Sequence, residues 1–184
     1  MENSNQIYNA YLESSGVSID SRSIKKGSLF FALKGPNFDG NKFAKDALKK
    51  GASYVVVDDA NSLEINDKFF LVEDSLNALQ NLALHHRKQL KIPIIAITGS
   101  NGKTTTKELI REVLSQKFLV HSTHGNMNNH IGVPITILQI SKNHEVAIIE
   151  MGANHQKEIE KLCSIAQPNW GYITNFGKAH LEGF

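Results

Sequence analysis

Ile94-Ile95-Ala96-Ile97-Thr98-Gly99-Ser100-Asn101-Gly102-Lys103-Thr104-Thr105-Thr106 is an apolar run that breaks into a glycine-bracketed turn and then a Lys-Thr pair. A strand, a tight turn and the start of a helix in this order make a phosphate cradle. Small residues let backbone N–H groups face inward, the helix start adds its positive end, and the lysine supplies a mobile cation. Against the pattern G-x-x-x-x-G-K-[ST], Ile97 stands where the first glycine belongs, so the loop is a shortened variant, Gly99-x-x-Gly102-Lys103-Thr104. Thr98, Gly99, Ser100, Asn101, Gly102, Lys103, Thr104 and Thr105 are the expected nucleotide-binding residues, with the Thr104 hydroxyl on Mg²⁺. The competing reading is an ordinary strand-turn-helix corner in which glycine serves only the turn.

Outward from this loop the pattern alternates. Downstream it predicts a helix from Lys103 to about Gln116, strands near Phe118–His121 and at Val146–Glu150, a helix over about Gln156–Cys163 and a strand at Gly171–Thr174. Such βα alternation predicts a mostly parallel sheet covered by helices. Upstream, Ile7, Tyr8, Tyr11 and Leu12 recur at helical spacing up to Gly16, and Val17–Asp20, Leu29–Leu33, Tyr54–Val57 and Phe69–Val72 read as strands. Phe43, Ala44, Ala47 and Leu48 mark a helix closed by Gly51. A longer amphipathic helix spans Ser75–Leu90; its His85-His86-Arg87-Lys88-Gln89 end reads as solvated, and adjacent histidines cannot share one helix face as metal ligands do. A boundary near Leu90–Pro93 then separates two α/β units, 1–90 and 91–184.

Composition agrees with a packed globular chain: 41% of residues are hydrophobic and 21% charged. A net charge of +2, with no basic run interleaved with aromatics, argues against a nucleic-acid surface and for small-molecule partners. The single cysteine, Cys163, falls on the apolar side of a predicted helix, as a core thiol does. Residues 1–6 lack a basic and an apolar region, and no segment reaches membrane-spanning length, so a cytoplasmic protein without membrane insertion is expected.

Three further places carry chemistry. Glu150 ends an apolar strand just before Gly152, where a carboxylate can either face a phosphate-bound Mg²⁺ or cap the following loop. Asn126, Asn128 and Asn129 concentrate amide donors and acceptors, which suits either a polar ligand or a turn. His180, in the loop after the last strand, is either a metal or phosphate ligand or inert.

Taken together, Thr98–Glu108, Gly125–Pro134, Glu150–His155 and Thr174–Phe184 resemble, in order and spacing, the Mur ligase family, and the likeness covers nearly the whole chain. In the first unit, Asp20-Ser21-Arg22, Gly27–Gly35 and Phe38–Phe43 resemble the family's uridine-nucleotide-binding domain; two departures from the family pattern are Asn41, in place of a frequent His, and, in the second unit, Lys157, in place of a frequent Gly. The resemblance implies a small uridine-nucleotide-binding α/β domain followed by the first part of a P-loop-type, mostly parallel α/β sheet domain. It implies ATP and Mg²⁺ as cofactors, and UDP-N-acetylmuramoyl-tripeptide and D-alanyl-D-alanine as partners joined through an acyl phosphate. Lys103, Glu150 and His180 are then the catalytic candidates, Thr104, Glu150 and His180 the metal candidates, and Ser21, Arg22, Asn126, Asn128 and Asn129 the substrate contacts. It further implies that the chain is an amino-terminal fragment, inactive alone and monomeric when complete. The rival readings are another P-loop nucleoside triphosphatase, a folylpolyglutamate-type ligase and a non-catalytic nucleotide-binding module. The first unit speaks against the first, Asp20-Ser21-Arg22 and the Asn-rich motif speak against the second, and the third is favoured only if the 184 residues are the natural product.

Overall fold

Leu29-Phe30-Phe31 and Tyr54-Val55-Val56-Val57 are apolar on both strand faces, the pattern of strands covered from both sides. In the computed structural model, which describes residues 2–63 and 66–177, both are central strands. The chain divides inside a helix into two compact units, Met1–Leu82 and Ala83–Phe184.

The first unit runs α1 (Glu2–Glu13), β1 (Val17–Ser18), β2 (Leu29–Phe31), β3 (Lys34–Gly35), β4 (Phe38–Asp39), α2 (Ala44–Lys49), β5 (Tyr54–Val57), β6 (Phe69–Leu71) and the start of α3 (Ser75–Gln89). Its main sheet is fully parallel, in the order β1-β2-β5-β6. Phe30, Ala32, Val55, Val57 and Phe69 pack against Ala44 and Ala47 of α2 as one core. The β3–β4 hairpin, absent from the sequence reading, folds back on the end of β2. A side chain at Gly40 would meet the Leu33 carbonyl oxygen at 2.6 Å, so only glycine closes that turn.

The second unit continues through the end of α3, β7 (Ile94–Thr98), α4 (Lys103–Leu114), β8 (Val120–Ser122), α5 (Gly132–Leu138), β9 (Val146–Glu150), α6 (Glu158–Ala166) and β10 (Trp170–Ile173). Its sheet is also fully parallel, in the order β10-β7-β9-β8. The expected α/β class with parallel sheets therefore holds. Helix α5 has no counterpart in the sequence reading. All seven of its residues are buried, so no polar face marks the helical period, and Pro134 sits within its first turn.

The polar end of α3 corrects another expectation. His86 and Arg87 are buried rather than solvated. His86 Nε2 donates to the Ile140 carbonyl at 3.0 Å. Arg87 donates to the carbonyls of Ala166 (2.8 Å), Gln167 (3.0 Å) and Leu90 (3.2 Å), and to Asn169 Oδ1 at 3.2 Å. The last carbonyls of a helix have no partner inside it, and the rigid five-donor guanidinium serves those at the end of α6. Cys163 is half-buried against Met151, its Sγ 3.7 Å from the Met151 sulfur, and burial pushes its thiol pKa up. Among the described residues no helix is long and apolar enough to cross a membrane.

Lys157, the second departure from the family pattern, precedes α6 with φ 66°, in the left-handed region. An L-residue there costs about 1–2 kcal/mol, a cost that glycine does not carry. Glycine loses about 0.4–1 kcal/mol through its freer unfolded chain. Lys157→Gly is accordingly expected to stabilise the chain by about 0.5–1 kcal/mol in urea unfolding. A pH effect arises at His121, whose Nε2 donates to the Thr136 carbonyl at 2.9 Å and whose ring lies 5.0 Å from that of His144. Burial, then the His144 charge, holds its pKa down at about 4. The unfolded imidazole titrates near 6.5, so stability present above about pH 6.5 is lost as pH falls through about 4. In His121→Gln, the unfolding midpoint is expected to fall less between pH about 7 and about 5 than in the wild type.

Candidate functional site

A parallel sheet exposes the carboxyl ends of all its strands at one edge, and at that edge the second unit gathers its polar residues. Strand β7 is central. It pairs with β9, where Ile97 faces Glu150, and with β10, where Thr98 faces Ile173. The phosphate-type loop leaves β7 here and enters α4.

The loop is built on two left-handed glycines, Gly99 (φ 132°) and Gly102 (φ 77°). At Gly99 a side chain would also meet Thr174 Oγ1 at 2.1 Å, so the position is closed twice over. The Lys103 ammonium folds back to donate to the Gly99 carbonyl at 2.7 Å. Thr104 and Thr105 are exposed on the first turn of α4, whose opening N–H groups have no partner inside the helix. Ser100 and Asn101 are held instead by the segment after β10. The Ser100 N–H donates to the Asn175 carbonyl (3.3 Å), the Asn101 N–H to Asn175 Oδ1 (3.0 Å), and Thr174 Oγ1 to the Asn101 carbonyl (2.5 Å). Ser100 Oγ donates to the Gly177 carbonyl and accepts from its N–H, both at 2.9 Å.

Glu150 is 2% exposed. Its Oε1 accepts from Asn128 Nδ2 at 2.8 Å, and its N–H donates to Thr123 Oγ1 at 2.9 Å, while Oε2 is buried without a hydrogen-bond partner. Thr123 continues β8 by donating its N–H to the Ile148 carbonyl, and its own carbonyl accepts from Lys107 Nζ at 2.6 Å. Lys107 is 1% exposed and also pairs with Glu108 at 2.9 Å. A buried carboxylate oxygen with no donor is costly.

Asn128 thus reaches Glu150, and its carbonyl also accepts from the Gly152 N–H at 2.8 Å. Asn129 Oδ1 accepts from the N–H groups of Ile131 and Gly132 at the entry to α5. Asn126 is exposed in the preceding turn. His180 lies outside the described residues. Among those described, no group of three or more His, Cys, Asp or Glu side chains could hold a metal.

In the first unit, Ser21 is buried with its carbonyl held by Lys50 Nζ at 2.7 Å, and Arg22 is largely exposed. The Arg22 fork closes on Asp20, with Nε and Nη2 donating at 2.9 and 2.8 Å; those bonds hold the Asp20 pKa down at about 2. Asn41, the other departure, is a buried hub. It donates to Asp39 Oδ1 (2.9 Å) and Asp58 Oδ1 (2.7 Å) and accepts from the Asp58 N–H (3.1 Å).

Sequence reasoning missed Thr123, Lys107 and the contact of Thr174 and Asn175 with the loop. Lys107 carried a usable signal, since it follows Lys103 by one helical turn and so shares its inward face.

Residues 13–101 match the family described as Mur ligase family, catalytic domain, and residues 97–184 match the Mur ligase middle domain. The UDP-N-acetylmuramoyl-tripeptide–D-alanyl-D-alanine ligase of Bacillus subtilis is 43% identical over 169 residues, 91% of this chain and 37% of that protein. Its counterpart from Synechocystis is 49% identical over 166 residues, 90% of this chain and 37% of that protein. Among solved structures, MurF from Acinetobacter baumannii superposes with a TM-score of 0.87 at 34% identity, over 98% of this chain and 42% of that one. MurF from Thermotoga maritima, solved in complex with ADP, gives 0.82 at 36% identity, over 92% and 39%. The chain therefore spans well under half the length of these relatives.

The fit of Gly99 against Thr174 is directly testable. Gly99→Ala is expected to destabilise the second unit by about 2–3 kcal/mol, from backbone strain and overlap together, and Thr174→Ala in the same chain should restore part of it. Urea unfolding of the single and double variants reads both.

Proposed function

The chain belongs to the Mur ligase family, and on that premise we propose that it carries the uridine-nucleotide-binding and ATP-binding parts of an ATP-dependent amide ligase that joins D-alanyl-D-alanine to UDP-N-acetylmuramoyl-tripeptide. One observation carries the reading: Glu150 presents a buried, unpartnered oxygen at the strand end in register with the root of the phosphate loop. An unpaired buried carboxylate oxygen beside a cradle for anions suits a phosphate-bound divalent cation.

A carboxylate resists attack by an amine because its oxygen is a poor leaving group. Phosphorylation by ATP converts that oxygen into phosphate, the amine then attacks the carbonyl carbon, and inorganic phosphate departs as the amide forms. Catalysis of this kind is positioning and charge stabilisation. Lys103 turns from the Gly99 carbonyl toward the β- and γ-phosphate oxygens, and the first N–H groups of α4 take the remaining lone pairs. Thr104 and Glu150 are the residues that would hold Mg²⁺, and the ion would supply charge stabilisation for phosphoryl transfer. Asn128 fixes the rotamer of Glu150. Arg22 opens from Asp20 to fork onto the diphosphate of the uridine nucleotide, with Ser21 beside it. The ligation step is proposed for the protein at the length of its relatives, and residues 1–184 alone are expected to release no ligated product.

Titration calorimetry on the chain tests the reading. Mg-ADP is expected to bind, and Lys103→Ala to weaken it roughly ten- to a hundredfold, as loss of hydrogen bonds to a charged group does. Affinity for a uridine diphosphate is expected to be unchanged in Lys103→Ala and reduced in Arg22→Ala. Equal binding of Mg-ADP by wild type and Lys103→Ala would remove the phosphate-loop assignment.

A further inference from the structure

Between β7 and α4 the loop has no strand or helix to hold its shape, and its two left-handed glycines leave it many conformations. Ser100 and Asn101 nevertheless have their backbone N–H groups, the Asn101 carbonyl and the Ser100 hydroxyl all bonded to Thr174, Asn175 and Gly177. The ladder leads directly into this contact, since the Thr174 N–H donates to the Thr98 carbonyl at 2.9 Å. A side chain at Gly177 would meet Ser100 Cβ at 3.3 Å, so the segment lies flush against the loop.

We propose that Thr174 and Asn175 are positioning residues of the phosphate loop, which commit Ser100 and Asn101 to the protein and leave Gly102 to Thr105 as the anion-facing half. The inference rests on the nucleotide-binding reading above and changes its content. Ser100 and Asn101 are then scaffold rather than ligands, and the nucleotide meets a loop that is already shaped. Binding to a preshaped loop avoids the entropy of ordering it. Asn175 serves two consecutive N–H groups at once, through its carbonyl and its side chain, so one residue sets the direction of both peptide units.

Thr174→Val keeps the shape and loses the donor to Asn101, Thr174→Ser restores it, and Asn175→Ala removes the side-chain acceptor. Two measurements on the 184-residue chain test the proposal. Amide exchange without ligand is expected to speed up at Ser100 and Asn101 in Thr174→Val and in Asn175→Ala, and to be unchanged in the first unit. Calorimetry is expected to show Mg-ADP binding weakened roughly fivefold in each, the worth of one hydrogen bond. Thr174→Ser should return to the wild-type value. The double variant should lose less than the product of the single losses, because the loop is released only once. Faster exchange with unchanged Mg-ADP affinity would overturn the positioning role, as would unchanged exchange in both variants. Failure of the wild type itself to bind Mg-ADP would instead remove the nucleotide reading and this inference with it, an outcome the exchange data separate from the other two.

Discussion

Glu150 is a carboxylate almost without solvent, and the carboxyl edge of the second sheet is organised around holding it. Removing such a group from water costs several kcal/mol unless neighbours replace the lost hydration. Here the replacement is partial. Asn128 supplies one donor to the carboxylate, Thr123 anchors its backbone, and the buried ammonium of Lys107 fixes Thr123 from below through its carbonyl. Hydrogen bonds thus link four segments around Glu150, namely α4, the end of β8, the loop before α5 and β9 itself, and one of its carboxylate oxygens has no hydrogen-bond partner.

The phosphate loop follows the same economy. Lys103 donates to the loop's own Gly99 and Ser100 carbonyls, so its charge has acceptors within the loop. The two halves of the loop differ in what they face: one is bonded to the segment after β10, the other opens the helix. Arg22 is arranged similarly in the first unit, where its fork already rests on a carboxylate. In each case the cationic group rests on an oxygen acceptor close by in the chain.

Much of this was legible in the sequence because parallel sheets write themselves as short continuous apolar runs. Tyr54–Val57, Ile94–Ile97 and Val146–Glu150 could hardly be anything else, and the break from Ile97 into Gly99 marks the loop by chemistry alone. What stayed hidden shares a cause, namely tertiary neighbours. Helix α5 lacks a polar face because everything around it is protein. His86 and Arg87 read as solvated because the carbonyls that bury them come from residues 140 and 166–167, far along the chain. Lys107 is marked in the sequence only by its one-turn spacing from Lys103, and the Thr123 carbonyl it reaches comes from the end of another strand. Asn129 was legible as a turn former or as a ligand, and its local bonds to Ile131 and Gly132 fit the first description.

Strand β10 occupies one edge of the second sheet, bonded to β7 on one side only. All four of its residues are exposed, with Trp170 61%, Tyr172 51% and Ile173 47% accessible. An uncovered, aromatic edge strand is a template for adding another strand. Main-chain hydrogen-bonding groups and apolar side chains thus coincide on β10, so any segment that pairs with it gains hydrogen bonds and apolar burial in one step.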